Sequence, residues 1–322
     1  MRTVKSKLLI TLTLLVSAQL QAAPATNWSH KAPAEMMVSQ LDKPEQLPII
    51  AAHCAGDRVI AVGEYGSVML FDPQTDKARQ AKQVPTRASL TSVSFIDQRH
   101  GWAVGHQGVI LQTRDGGDNW SLLQADPKVE ALFSVLFLNE EKGLAGGRFA
   151  TLMRTEDGGQ SWKNLTISDD PDAEQAHLFD LFSDGQGKIY AASEYGNVLV
   201  SEDDGTTWKG LETGFGGSLW SGIADAKGTI VTVGMVGAIY RSDDFGDSWN
   251  SIDVDTKASF TDVVRQKNGD IVAVGMNGVV AISRDDGLSF SIEQRPDRTA
   301  ITAVGCGKDN KPVLFSKAGL IR

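Results

Sequence analysis

The sequence has few of the residues from which metal centres and nucleophilic active sites are built. Its 322 residues include only two cysteines and five histidines. The histidines show no spacing typical of metal ligands, and no Ser, His and Asp arrangement stands out. We therefore expect no metal ion, no cofactor and no catalytic residue.

Long apolar runs and excess positive charge are also missing beyond the N-terminus. Residues 1–22 have the pattern of an export signal, with three basic residues before the apolar run 8–16 and a plausible cleavage site near Ala22. Without this segment the chain has 28 basic and 40 acidic residues and a net charge of −12. Such a negative charge disfavours nucleic acid as a partner. No cysteine lies near the predicted cleavage site, which argues against a lipid anchor. No later segment approaches the roughly 20 apolar residues that a membrane helix needs. We predict a soluble, exported, periplasmic protein with one domain over residues 23–322.

The chain contains instead an eight-residue phrase, such as TRDGGDNW, that occurs five times at intervals of about forty residues. A period of this length is typical of a four-stranded propeller blade. The third residue is always Asp, whose carboxylate can accept N–H bonds within a tight turn, and the fifth is always Gly, which permits positive φ. The closing aromatic should fill apolar space between sheets. The five sets are Asp115, Gly117 and Trp120; Asp157, Gly159 and Trp162; Asp203, Gly205 and Trp208; Asp244, Gly246 and Trp249; and Asp285, Gly287 and Phe290.

A second motif counts seven blades. Apolar triplets recur with last residues Gly63, Gly105, Gly146, Ser193, Gly234, Gly275 and Ser316. Each precedes a short turn and an alternating run typical of strands, so one blade, with strands A to D, spans 89–124. The last blade ends after strand C at Arg322, whereas residues 27–29 repeat the start of a strand D. We predict an all-β, seven-bladed β-propeller of four-stranded antiparallel blades, its last blade completed by the N-terminal strand.

The two cysteines, Cys54 and Cys306, each end a strand A, one in the first blade and one in the last. These blades become neighbours when the ring closes. An oxidising compartment favours a disulfide across this seam, and two free, buried thiols are the alternative.

The run from Trp102 to Trp120, W-A-V-G-x-x-G-x-I-L-x-T-x-D-G-G-x-x-W, resembles the photosystem II stability/assembly factors of plants and cyanobacteria. The resemblance covers nearly the whole chain after the signal. It implies a non-catalytic propeller that assists assembly of a membrane complex from the side to which it is exported, which is the lumen in a photosynthetic host. We therefore expect a monomer whose partner is a membrane complex or transporter. One feature departs from the family: its members present an arginine patch, whereas this chain is acidic and has one arginine, Arg148, in its B-to-C turns.

Chain direction places the candidate site. If strand A runs from the top face to the bottom, the B-to-C turns lie on top and the Asp turns underneath. The B-to-C turns differ from blade to blade, and three consecutive blades carry a large aromatic near the start of strand A. Exposed aromatic and Met residues are typical of protein interfaces; as the alternative, the strand A aromatics only fill gaps between blades. The predicted partner-binding residues, on blades 3–5, are Phe133, Arg148, Phe149, Phe179, Glu194, Tyr195, Trp220 and Met235.

A sialidase-like or other glycan hydrolase is the alternative function, because Asp turns also occur in those enzymes. Glycosidases need two carboxylates across a cleft, but the candidates Asp180 and Asp262 belong to different blades and nothing in the sequence marks them as a pair. The acidic residues around Pro171, between 169 and 174, suggest either a cation site or a solvated turn.

Overall fold

Seven antiparallel sheets form from the repeated motifs in the computed structural model, which describes residues 36–167 and 176–322. Each sheet is one blade, and its strands pair in chain order from the innermost, strand A, outward. Blades 1 to 4 contain β1 Ile49–Ala55, β2 Arg58–Gly63, β3 Val68–Asp72, β4 Lys77–Gln80; β5 Leu90–Phe95, β6 Gly101–Gly105, β7 Ile110–Thr113, β8 Ser121–Gln124; β9 Leu132–Phe137, β10 Gly143–Gly147, β11 Leu152–Thr155, β12 Lys163–Leu165; and β13 Leu178–Ser183, β14 Ile189–Ser193, β15 Asn197–Ser201, β16 Lys209–Glu212.

Blades 5 to 7 complete the ring, and short 3₁₀ turns connect some of the strands. The strands are β17 Leu219–Ala224, β18 Ile230–Gly234, β19 Ile239–Ser242, β20 Asn250–Ser251; β21 Phe260–Arg265, β22 Ile271–Gly275, β23 Val279–Ser283, β24 Ser291–Gln294; and β25 Ala303–Gly305, β26 Val313–Ser316, β27 Gly319–Ile321. The 3₁₀ turns are Pro44–Gln46, Glu64–Gly66, Met235–Gly237, Met276–Gly278 and Lys308–Asn310. The predicted seven-bladed propeller of antiparallel blades is confirmed.

The seventh blade contributes three strands among the described residues. The segment 27–29, predicted to supply its fourth strand, lies outside the described residues. The same holds for the export signal and for the acidic segment 169–174.

The apolar core is divided into seven clusters, one at each junction between neighbouring blades. Ile60 and Leu70 of blade 1, for example, pack with Leu90 of blade 2, and Ile49 packs with Phe315 of blade 7. Strand B, buried along its whole length in blades 2 to 6, contributes to the junctions on both sides. Burial therefore holds the ring together between blades, where apolar faces of twisted sheets meet.

The Asp turns stabilise the C-to-D hairpins. In each turn one carboxylate oxygen accepts the backbone N–H four residues later at 2.8 to 2.9 Å, and the glycine has a φ between 80° and 94°. The hydroxyl and N–H of Ser161 lower the pKa of Asp157 to about 2. The closing aromatics pack into the junction with the preceding blade. Gly116 N–H donates to Arg99 O of an A-to-B turn, so the Asp turns share a face with those turns and lie away from the B-to-C turns.

The seam between the first and last blades carries a covalent bond. Cys54 and Cys306 form a disulfide with their Cα atoms 5.7 Å apart. Beside it, the hydroxyl of Thr302 donates to Ile49 O at 2.8 Å. The described part of the chain thus closes the ring by a disulfide, hydrogen bonds and a shared apolar cluster.

Candidate partner-binding face

The B-to-C turns of the top face expose large apolar side chains. Tyr195 is 70% exposed and Phe149 is 53% exposed. Five of the seven turns expose such a residue: Tyr65, Phe149, Tyr195, Val236 and Met276. Because these turns are neighbours around the channel mouth, they form a discontinuous apolar rim, which is typical of surfaces that bind proteins.

The backbone at these tips adopts a conformation that bulky residues usually avoid. The φ angles of Tyr65, Phe149, Tyr195 and Val236 lie between 50° and 58°, in the left-handed region where Gly and Asn are the usual residues. Blade 6 has the expected residue there, Asn277. A Cβ on Gly196, which follows Tyr195, would lie 2.1 Å from Phe215 O. The turn geometry is therefore fixed by the fold, and four blades keep an apolar side chain at the strained position.

Aromatic rings join the tip of blade 3 to the channel mouth. The rings of Phe133 and Phe179 stack at 6.0 Å, and His177 lies between them and Phe149, with centroid distances of 5.3 to 5.9 Å. The guanidinium of Arg148 covers the Phe149 ring at 4.6 Å. We call Phe133, Phe149, His177 and Phe179 the aromatic cluster. It extends from solvent to the channel.

The two charged residues next to this cluster, Arg148 and Glu194, each have a partner within the protein. Arg148 forms an ion pair with Glu130, and Glu194 accepts the backbone N–H of His177 at 3.0 Å. Nδ1 of His177 lies 3.4 Å from the same carboxylate. Arg148 and Glu194 therefore position the aromatic rings, and the face itself is mainly apolar at blades 3 and 4.

A bulge in strand A explains why some side chains enter the channel mouth. The ladder between strands A and B skips the second residue of strand A in six blades, and a bulge of this kind re-aims one side chain. Where that residue is threonine, its hydroxyl donates to a carbonyl of the next blade, as Thr91 does to Leu132 O at 2.6 Å and Thr261 to Ile301 O at 2.7 Å. Blades 3, 4 and 5 have Phe133, Phe179 and Trp220 there, which cannot make this bond and line the channel. We call these three residues the aromatic collar.

The predicted patch divides into exposed tips and a half-buried interior. Phe149 and Tyr195 are exposed, whereas Phe133, Phe179, Trp220 and Met235 are half-buried. In blade 5 the exposed residue is Val236 rather than Met235, because the left-handed turn points the second residue outward. The predicted set also leaves out Tyr65 and Met276, which are exposed on the same face, and His177, which contacts the rings of Phe133 and Phe149. Tyr65 and Val236 can be recognised in the sequence as turn-tip residues because each immediately precedes a turn glycine. No local sequence feature identifies His177.

Two carboxyl groups meet inside the ring. Asp180 and Asp262 both line the central channel, a cavity of about 460 Å³ bounded by strand A of every blade. The hydroxyl of Ser221 lies 3.0 Å from Asp180 Oδ2 and 3.3 Å from Asp262 Oδ1, so it can donate to only one of them at a time. Nothing in the sequence marks these two residues as a pair, but the structure relates them, since the intervening blade places Ser221 between them. We call Asp180 and Asp262 the carboxyl pair.

The carboxyl pair also connects blades. Gly222 N–H donates to Asp180 at 3.1 Å and Val304 N–H donates to Asp262 at 2.8 Å, and both donors belong to the next blade. Burial nevertheless raises the pKa of Asp180 to about 6. Burial, followed by repulsion from Asp180, raises the pKa of Asp262 to about 7. Both groups therefore change charge close to neutral pH.

Replacing the carboxyl pair with Asp180→Asn and Asp262→Asn should make the protein more stable than wild type at pH 8, and this difference should disappear below about pH 4. Each folded-state pKa lies above the ordinary value of 3.8, so the stability that these groups contribute in their neutral form is fully present below about pH 4 and is lost as pH rises to about 6 to 7. We expect the melting temperature of the variant to exceed that of wild type by roughly 2–5 °C at pH 8.

Thermal denaturation of both proteins between pH 4 and pH 8 checks this expectation. The difference between the two curves is the relevant quantity, because burial lowers the pKa of His53 to about 4, and its stabilising neutral form makes wild type lose stability below about pH 6.5. A difference that does not vary with pH would contradict the raised pKa values.

Comparison with known proteins assigns the family. A family model described as "Photosynthesis system II assembly factor YCF48" matches residues 72–233, half of the chain. The chain belongs to this family. The match covers blades 2 to 4 completely, with parts of blades 1 and 5, so it includes the aromatic cluster. The resemblance found in the Trp102–Trp120 motif is thereby confirmed.

Two curated members of the YCF48 family align with shorter stretches. The "Photosystem II assembly protein Ycf48" of Thermosynechococcus vestitus is 49% identical over 41 residues, which are 13% of this chain and 12% of that protein. The chloroplast "Photosystem II stability/assembly factor HCF136" of Cyanidioschyzon merolae is 38% identical over 71 residues, 20% of this chain and 16% of that protein. These alignments span less than a fifth of either relative.

Solved structures share the fold over most of the chain. "YCF48 bound to D1 peptide" has a TM-score of 0.66 at 19% identity and covers 90% of this chain and 96% of its own. "YCF48 from Cyanidioschyzon merolae" has a TM-score of 0.65 at 17% identity, covering 88% and 98%. The WD40 propeller domain of Doa1 reaches 0.67 at 16% identity, covering 89% and 95%. Because Doa1 is as similar as the YCF48 structures, the likeness shows the fold alone.

Neither a metal cluster nor a membrane helix is found in the part of the chain that the structure describes. Within residues 36–167 and 176–322 no three His, Cys, Asp or Glu side chains are grouped as metal ligands. No helix in these ranges is long and apolar enough to cross a membrane.

Proposed function

We propose that this protein is a non-catalytic assembly factor whose top face binds an exported-side segment of a membrane protein complex. The observation that carries the proposal is the row of apolar residues held at strained left-handed tips beside the aromatic cluster. Strain of this kind persists where the surroundings impose it, and it concentrates at binding sites. Membership of the YCF48 family, one of whose structures is described as bound to a D1 peptide, supports a protein ligand.

The binding residues in this proposal are those predicted on blades 3–5, with Val236 and His177 added. The exposed rings of Phe149 and Tyr195 act as anchors, since large aromatic side chains dominate the energy of protein interfaces. Phe133, Phe179, Trp220 and Met235 form the wall behind them. Arg148 covers the Phe149 ring and pairs with Glu130. Glu194 accepts the backbone N–H of His177, whose ring contacts Phe133 and Phe179.

Substituting both anchors, Phe149→Ser with Tyr195→Ser, should weaken partner binding at least about tenfold, because truncating an interface anchor costs about 2 kcal/mol or more. The two side chains are exposed, so the ring should keep its melting temperature. The measurement is photocrosslinking from position 151 of the top face in intact cells, with the crosslinked protein identified by mass spectrometry.

The matched control is Phe245→Ser with Leu288→Ser, which removes two exposed apolar side chains from the opposite face. We expect this control to crosslink like wild type, and the partner to be an integral membrane protein crosslinked through an exported-side segment. Equal crosslinking by both variants would contradict the proposed face.

The proposal includes export and a single chain. Residues 1–22 would be removed near Ala22, and residues 23–322 would act as a monomeric domain in the periplasm, or in the lumen of a photosynthetic host. The bridged cysteines support an oxidising, exported location. Purified protein should show no turnover of sialosides or glucans; turnover lost in Asp180→Asn would instead support the hydrolase alternative.

A further inference from the structure

We propose that the central channel binds one cationic side chain of the partner, a lysine or arginine that passes the aromatic collar and pairs with Asp180 and Asp262. This inference rests on the proposed function and adds the chemistry of the group that the partner must present. It makes the channel mouth a continuation of the apolar rim, with a charged contact at its base.

The channel has the size and position for such a site. Its cavity of about 460 Å³ opens among strands A and is lined by both members of the carboxyl pair and all three residues of the collar. Small-ligand pockets have volumes of roughly 300–1,000 Å³. One extended side chain can therefore enter the ring while the rest of the partner segment stays on the top face.

The carboxyl pair has no cationic counterpart within the described channel wall. His53 and Arg265 are the basic side chains that line it. Burial lowers the pKa of His53 to about 4, so this ring is neutral near pH 7. Arg265 is engaged elsewhere, with Nη1 2.6 Å from Asp286 and Nη2 3.3 Å from Asp225. At pH 8 the pair thus carries negative charge that only hydroxyl and backbone N–H groups balance.

An enclosed carboxylate without a counter-charge is costly, and a cation that arrives with the partner would relieve that cost. The known donors leave room for it, because an ionised carboxylate offers about four acceptor positions. Asp180 accepts from Ser134 and Gly222, and Asp262 accepts from Val263 and Val304. The Ser221 hydroxyl serves one of the two carboxyls at a time. The charge of the whole chain, −9, also attracts a basic segment.

The collar is a second, independent feature that suits a cation. Phe133, Phe179 and Trp220 stand where blades 2, 6 and 7 have a threonine that joins neighbouring blades, so three consecutive blades have a ring in place of that hydrogen bond. Aromatic faces attract ammonium and guanidinium groups. The path from solvent to the carboxyl pair is therefore lined by rings that stabilise a cation on its way in.

Titration with N-acetyl-lysine methylamide, followed by the NMR signal of the Trp220 indole, tests the inference. The norleucine analogue has a similar apolar chain without the charge. At pH 8 we expect the lysine compound to bind wild type at least about tenfold more tightly than the norleucine compound, and the Asp180→Asn, Asp262→Asn variant to lose this difference. The control Asp247→Asn, Asp309→Asn removes two exposed charges from the opposite face and should bind like wild type.

Equal binding of the two compounds to wild type, or an unchanged lysine preference in the carboxyl variant, would overturn the inference. A second measurement needs no substitution: the affinity of wild type for the lysine compound should fall at least about fivefold from pH 8 to pH 5 as the carboxyl pair becomes neutral, with His53 and Arg265 keeping their charge states. Constant affinity across this range would also overturn it.

Crosslinking in cells separates this inference from the proposed function. If the carboxyl variant captures the partner like wild type while Phe149→Ser with Tyr195→Ser does not, the face is correct and the channel site is wrong. If neither variant changes capture, the proposed face fails as well.

Discussion

Trp102→Ala is expected to lower the free energy of unfolding by about 3–5 kcal/mol, the usual cost of truncating a buried tryptophan. Trp102 is 1% exposed and its ring stacks on Phe137 at a centroid distance of 3.6 Å. Its Nε1–H donates to Gly158 O at 2.9 Å, a carbonyl in the Asp turn of the next blade. The substitution would remove apolar contact and a hydrogen bond from the same junction. Denaturant unfolding followed by circular dichroism measures the change.

Two further variants show where this loss arises. Trp102→Phe keeps an aromatic ring but removes the N–H, so we expect about 1–3 kcal/mol, the cost of a lost buried hydrogen bond with some packing. Leu288→Ala, at a side chain that is 61% exposed, should change stability by less than about 0.5 kcal/mol. If Trp102→Ala cost no more than Leu288→Ala, the junction between blades 2 and 3 would not depend on this ring.

Reduction of the Cys54–Cys306 disulfide should lower the melting temperature by roughly 4–10 °C. The bond joins residues 252 positions apart, and a cross-link over a long loop stabilises a protein by about 2–5 kcal/mol, chiefly by restricting the unfolded chain. Without it, the seam keeps only the apolar cluster and the hydrogen bonds around Thr302. Scanning calorimetry with and without dithiothreitol measures the shift.

The double variant Cys54→Ser, Cys306→Ser provides the control. It should melt at the temperature of reduced wild type and be insensitive to dithiothreitol. Thiol titration of unfolded, unreduced wild type should detect no free thiol. Two free thiols in that assay would show that the seam is not bridged in the isolated protein.

The blade count and the Asp turns were predictable because they depend on local chemistry. Gly117 and its equivalents are needed where φ is positive, and Asp115 is needed where a carboxylate accepts the N–H four residues later. Such requirements recur in five of the seven blades and can be read from one sequence. The Thr or Ser two residues before each Asp, which accepts the glycine N–H, belongs to the same pattern but was overlooked.

The binding face was predictable only in outline. The sequence indicates which residues lie near the B-to-C turns, but it does not show that the second turn residue points outward. For this reason Met235 was predicted as the exposed residue of blade 5, whereas the structure exposes Val236. Nor does it show that Asp180 and Asp262 meet across Ser221, because those residues come from three blades and approach only when the ring closes. Contacts that depend on closure have no local signature.

The division of the core into seven separate clusters has a consequence for how such a protein can diverge. A substitution in one junction is felt by the two blades that share it and is insulated from the other five, as in other repeat proteins where each unit touches only its neighbours. Blades 3 to 5 can therefore have rings at the position where blades 2, 6 and 7 have a bonded threonine, without disturbing the junctions on the far side of the propeller. This architecture allows a few neighbouring blades to change their residues without compensating changes in the other blades.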